Sequence, residues 1–459
     1  MLLTTLTRAS VIAACALSSV SVGGAAWAAS EARTGPSSSD EPYLVGQVPG
    51  VNFTSILTVP DAVGGYRMAG TPDGLGAFDN GDGTYTVLMN HEFGPTLGAV
   101  HAHGATGAFV SRYVIAKGSQ RVLSGADQIK RLVTTGPQNL SRLCSADLAA
   151  KSAFYNAQTG TGYDGRIFLN GEENAPVGRA LGNVVETGTT YELSAFGKAG
   201  WENVAANPAT GDKTTVVGQS DGGTQNVYVY SGIKQKNGTE VDKAGLTNGT
   251  TQAITVASLP VEDGATPVPN GPLPFTLSAS GTAFDRPEDG AWDPTDPNVY
   301  YFATTAAFSE HSRIWKVTFK DAANPSLGGT IERVLEGPTD AATGPHMMDN
   351  LTVNDRGQLI IQEDVGNNVY LGGVYQFEPS TGDLRRIAQH DPDRFLPGGS
   401  KFDTIDEESS GVIPVPFLGE GKYLLDVQNH KAYPDPEIVE KGQLLVMSLP
   451  PGQPVAKKN

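Results

Sequence analysis

The sequence predicts an all-β fold, a six-bladed β-propeller carrying loop insertions. Three observations lead there. Apolar residues come in short runs broken by Gly, Asn, Asp and Pro, with almost no long helical periodicity. A hairpin-like unit recurs six times along the chain. Each copy opens with an acid or carries one within its first residues.

The copies run in order. TPDGLGAFDNGDGTYTVLMNHE occupies 71–92, and CSADLAAKSAFYNAQTGTGYDGRIFLNGEEN, with a longer middle, occupies 144–174. WENVAANPATGDKTTVVGQSD covers 201–221 and RPEDGAWDPTDPNVYYFATT covers 286–305. MMDNLTVNDRGQLIIQED follows at 347–364, and EESSGVIPVPFLGEGKYLLDVQNH closes the series at 407–430. Asp-Gly, Asn-Gly and Pro-Thr-Asp-Pro supply turn positions with positive or fixed φ. The strand after each turn is rich in β-branched or aromatic residues, as in Thr86–Met89, Val299–Phe302 and Leu359–Gln362. Runs such as FVSRYVIA, NVYVYSG, RIWKVTF and GGVYQFEP lie between copies and bring each unit to about four strands, the content of a propeller blade. The stretch 234–285 reads as strands plus a long insertion.

The ends read differently. Residues 1–28 have a basic start, an apolar run and a small-x-small site at Ala26-Trp27-Ala28, the pattern of a secretory signal peptide. No twin Arg precedes the run, and Ile12–Cys15 is a faint lipoprotein-type box that the apolar run overshoots. A secreted or periplasmic protein is expected. Residues 29–42 are expected to be a frayed mature terminus, 43–450 a single propeller domain and 451–459 a tail. No later stretch approaches the roughly 20 apolar residues of a membrane span. Gly 56 and Pro 30 point to many turns, and a net charge of -17 argues against nucleic acid or an anionic membrane surface as partner. A monomer is expected.

In a propeller the first strand of every blade lines the axis, so equivalent positions converge. The opening acids are Asp73, Asp147, Glu202, Glu288, Asp349 and Glu407 or Glu408. Such a ring repels itself in a low-dielectric channel unless it is protonated or neutralised, and cations are the simplest neutraliser. Glu172–Glu173, Glu363–Asp364 and Glu407–Glu408 add further oxygens. Oxygen-only clusters suit Ca2+ or Mg2+, whereas a thiolate admits a transition metal. Cys144 is the single cysteine left after the leader; it is either such a ligand or a small buried hydrophobe. Arg286, two residues before Glu288, is either a fork for a phosphate oxygen or a structural ion pair. His91 before Glu92 is a ligand or a hydrogen-bonding scaffold residue, and His346 and His430 are weaker cases of the same kind.

In the same order along the chain, LMNHEFG (88–94), NGEEN (170–174), DRPEDGAWDP (285–294), MDNLTVNDRGQLIIQED (348–364) and EESSGVI (407–413) resemble the PhoX-type alkaline phosphatase family. The resemblance extends over nearly the whole mature chain. It implies a six-bladed propeller hydrolysing small phosphate monoesters at a mixed calcium and iron (Ca2+, Fe3+) cluster on the axis. It also implies a phosphate-binding role for Arg286, with Asn350 falling in a site block. Cys144, Glu172 or Glu173, Glu288 and Glu408 are the ligands it implies, with Asp349 and Glu363 in the matched blocks. A calcium-dependent lactonase or esterase, or a calcium-stabilised binding propeller without catalysis, are the alternatives on this architecture.

Overall fold

The computed structural model describes residues 32–340 and 342–450. The leader at 1–28 and the tail at 451–459 lie outside the described residues. The described chain is a six-bladed propeller. Its inner strands are Pro72–Asp79, Leu143–Asp147, Lys198–Ala206, Pro287–Trp292, Met348–Val353 and Glu407–Pro414. Each packs against the next, and the last packs against the first, so the ring closes.

Every predicted unit is the inner hairpin of a blade. In blade one Pro72–Asp79 pairs antiparallel with Thr84–His91, followed outward by Phe109–Ala116 and Val122–Asp127. The long middle of the second unit is a surface excursion between Leu143–Asp147 and its partner Ile167–Val184. Within the predicted insertion, Thr250–Thr255 is the outer strand of blade three and Leu273–Ser278 bridges it to Gly329–Glu336 of blade four. A single helical turn, Glu240–Lys243, sits there under a Thr239/Asp242 capping box.

Blade six is completed by the other end of the chain. Asn52–Thr58 pairs antiparallel with Glu440–Ser448, and Arg33–Thr34 adds a parallel strand outside it. The expectation of a frayed terminus over 29–42 therefore needs correcting for the described part. Asp40 is ion-paired to Arg394 at 2.7 Å and Glu41 to Lys401 at 2.7 Å, so polar composition here marks ordered contacts.

The core consists of apolar layers between blades. Trp315, Phe302 and Ile331 of blade four pack with Val217 and Val229 of blade three, while Ile360 and Val374 of blade five pack with Leu425 and Leu445 of blade six. Alternate residues of each strand face these layers, which is the period the sequence carries.

All six inner strands break register near the same point. The shifts fall at Asp73/Leu75, Leu143/Ala146, Trp201/Val204, Pro287/Gly290, Met348/Leu351 and Ser410/Val412. A bulge adds an unpaired residue and re-aims its side chain. In blades two to five the two residues skipped are Cys144 or an acid of the cluster and a polar neighbour (Ser145, Asn203, Asp289 or Asn350). In blades one and six the unpaired residues are Gly74 and Gly411. Asn350 Nδ2 donates to Ser145 Oγ at 2.8 Å, and the Leu351 amide donates to Asp289 Oδ2 at 3.0 Å.

Candidate metal centre

The bulges explain the phasing of four of the acids and correct two members of the ring. In blade two the bulged residue is Cys144, whereas Asp147 lies three positions on, fully paired and accepting the Ala206 amide at 2.8 Å. Cys144 takes the place that Asp73, Glu202, Glu288 and Asp349 hold in blades one, three, four and five. In blade six that register position is Ser410, and Glu408 stands two residues before it. Two groups of ligand atoms include Cys144 and a third adjoins them, each with its atoms within 4.8 Å of one another: Asp73, Glu92 and Cys144; Cys144, Glu173 and Glu202; and Glu202, Glu288 and Asp349. Cys144 and Glu202 are shared, so the three groups form one chain across the axis.

The electrostatics favour protonation of these acids or their neutralisation by a cation. Burial first, then the charges of Glu408 and Glu202, push Asp73 well above the usual carboxylate range. Burial and the neighbouring Asp221 and Asp349 do the same to Glu288, and burial with Glu408 and Glu202 to Asp349. Glu173 is raised to about 9 by burial and by Glu202, with Arg142 opposing. Burial and the Glu202 charge raise the Cys144 thiol as well. Like charges held this close with little hydrogen bonding are the arrangement a cation relieves. The donor sets fit two kinds of cation. Glu202, Glu288 and Asp349 are all oxygen, as hard cations prefer, while the two groups containing Cys144 add a soft sulfur.

Two arginines border the acids. Arg286 Nη2 lies 2.8 Å from Glu288 Oε1 and its Nε 3.2 Å from Asp221 Oδ2. Arg142, which sequence reasoning missed, places Nε 2.8 Å from Glu92 Oε1 and pairs Nη2 with Glu173. Asp221, at the end of an inner hairpin, was likewise unnamed as a site residue. The one signal for Arg142 was its place two residues before Cys144, matching Arg286 before Glu288.

Blade six closes the ring with Glu408, raised to about 7 by burial and Asp364. His430 Nε2 stands 3.8 Å from Glu408 Oε2 and its Nδ1 2.8 Å from Glu440. Burial works against its protonation, but these two carboxylates hold its pKa up to about 11. Gln428 Nε2 reaches Glu92 Oε2 at 3.1 Å and Glu408 Oε1 at 3.4 Å, tying the first and last blades together. Asp364 bridges backbone to backbone with Glu408.

Several expected site residues lie elsewhere. Glu172 turns away from the axis into a buried pair with Arg179, at 2.5 Å and 2.7 Å, and accepts the Ser141 amide. The alternation of a strand separates it from Glu173. Glu363 accepts the His346 and Gly373 amides inside blade five. Glu407 accepts the Gly372 amide beside His390. His91 is a scaffold residue, bonding Gly70 O and Ser111 Oγ at 2.8 Å each and stacked on Phe109. His346 stacks on Phe308. Asn350, with Ser145, Asn203 and Asp289, lines a channel cavity of about 280 Å3 rather than joining any of the three ligand groups.

No protein-family profile matches the sequence, and no curated protein matches it. The fold does have a solved counterpart. Pseudomonas fluorescens PhoX, in complex with the transition state analogue vanadate, is 13% identical, with a TM-score of 0.59 over 87% of this chain and 95% of that one. The shared property is the propeller. Penicillium chrysogenum alpha-L-arabinanase complexed with arabinobiose aligns at a TM-score of 0.43 and 9% identity, covering 82% and 93% of the two chains. The β-propeller domain of the Trilobed protease from Pyrococcus furiosus aligns at 0.33 and 8%, covering 79% and 91%. Among the described residues no helix is long and apolar enough to cross a membrane.

Proposed function

We propose that this chain is an exported, metal-dependent hydrolase of phosphate monoesters, with its centre at the acid–thiol chain around the axis. The observation that carries the reading is Arg286. A guanidinium whose side chain stays 35% exposed is anchored to Glu288, a member of the all-oxygen group, and to Asp221. A fork donor beside a cation site is the arrangement that holds a phosphoryl oxygen. PhoX, which shares the fold, binds vanadate, a mimic of the transferring phosphoryl group.

In this reading Glu202, Glu288 and Asp349 would hold Ca2+, and Cys144 would hold iron through one of its two groups, with Glu173 and Glu202 or with Asp73 and Glu92. Bound cations supply Lewis acidity, neutralising the acids and polarising the phosphoryl oxygens of a substrate. The protein supplies the rest. Glu288 and Asp221 fix the Arg286 fork, so little rotamer entropy is lost when it takes an oxygen. The inner-strand bulges hold the acids rigidly, and burial removes competing water.

The test is p-nitrophenyl phosphate turnover by protein purified without chelators, before and after complete metal removal. Turnover that depends on the metals supports the reading, and turnover indifferent to their removal overturns it. Hydrolysis of lactones or carboxylic esters instead, without inhibition by inorganic phosphate, would redirect it to the esterase alternative.

A further inference from the structure

Four inner strands are entered through a residue with left-handed backbone, two positions before the first ligand: Thr71 (φ 42), Arg142 (φ 45), Arg286 (φ 54) and Met347 (φ 42). These precede Asp73, Cys144, Glu288 and Asp349. Non-glycine residues avoid this region, and such strain persists where surrounding structure enforces it, often at functional sites. Two of the four are arginines, on blades two and four. Their guanidinium groups are used alike, with Nε on one acid and Nη2 on a second. Their side chains remain 49% and 35% exposed beside acids that are mostly buried.

The two arginines bracket the centre. Glu173, held by Arg142, shares a ligand group with Glu202, and Glu202 shares the next with Glu288, held by Arg286. Resting on the phosphatase reading above, we propose that Arg142 is a second substrate-binding arginine, so that dianionic phosphate monoesters are gripped from both sides of Glu202. A monoester has three terminal oxygens, enough for the cations and both arginines. A diester has two, too few for the cations and both arginines. Arg142 therefore sets preference for monoesters over diesters. The contrary reading is that Arg142 only neutralises Glu92 and Glu173.

The experiment compares wild type, Arg142→Ala, Arg142→Lys and Arg286→Ala in the metal-loaded full chain, with metal content checked for each. Turnover of p-nitrophenyl phosphate and bis-p-nitrophenyl phosphate is measured, and inorganic phosphate is titrated calorimetrically. Losing one charge-assisted contact should lower monoester kcat/KM and phosphate affinity about ten- to hundredfold, with the diester rate changed by less than about threefold. Arg142→Lys keeps the charge on the acids but loses the planar fork, so it should retain metal and still bind phosphate weakly. Equal losses on both esters, or wild-type phosphate affinity in metal-replete Arg142→Lys, overturn the assignment. Absent wild-type turnover of either ester sinks the phosphatase reading alone, because the phosphate titration still reads Arg142. A wild type that binds no phosphate overturns both.

Discussion

The Cys144 sulfur lies 3.4 Å from Glu173 Oε2, across the ladder that joins the first and second strands of blade two. A lone buried thiol this close to a carboxylate belongs to two ligand groups at once. Cys144→Ser keeps the size and removes the soft donor. The expected outcome is loss of iron by elemental analysis, with Ca2+ stoichiometry retained at the all-oxygen group. Equal iron content in the variant would remove Cys144 from the centre.

Arg286→Ala should cut p-nitrophenyl phosphate kcat/KM by about ten- to a thousandfold, because one oriented charged donor to the transferring group is lost. The metal-free melting temperature should fall as well, because the buried Glu288 loses its cationic partner. Steady-state kinetics beside thermal unfolding separates the two effects.

Glu172 and Arg179 form a buried pair, each side chain about 5% exposed or less. Removing one partner leaves an uncompensated charge, worth about 3–5 kcal/mol of stability. Arg179→Ala should lower the denaturation midpoint while metal stoichiometry stays that of wild type. A variant that unfolds normally but loses metal would place Glu172 in the centre after all.

The metal-free protein should have a distinctive pH profile. Glu173 and Glu408 are raised to about 9 and about 7 in the folded chain, so folding takes up protons. A raised carboxyl contributes stability that is present below its unfolded pKa and lost as pH rises through the folded value. The melting temperature without metal should therefore fall between about pH 5 and pH 9, and cation binding should flatten that slope. Calorimetry across this range, with and without Ca2+, checks it.

The blades were legible because turn chemistry and strand period are local. Pro294–Pro297 and Asp79–Gly83 announce their hairpins without reference to the rest of the chain. The acids at Glu202, Glu288 and Asp349 were legible because they repeat at one place in the unit. Asp147 misled because a bulge moved the phased position back to Cys144, and register is not written in composition. Glu172 and Glu173 are indistinguishable as a pair of letters, and only the partner Arg179 decides which faces the axis. Arg142 stayed hidden because its meaning lies in a backbone kink shared with Arg286.

The closure of blade six has a bearing on how the protein matures. Asn52–Thr58 can find its partner only after Glu440–Ser448 has been made, so the ring stays open through almost all of synthesis. Gln428, which reaches Glu92 and Asp73 from the last blade, arrives late as well. Until the seam zips, the acids of blades one and six are not neighbours. Cation capture is thus coupled to completion of the circle, and a chain trapped half-made would present scattered carboxylates instead of a finished centre.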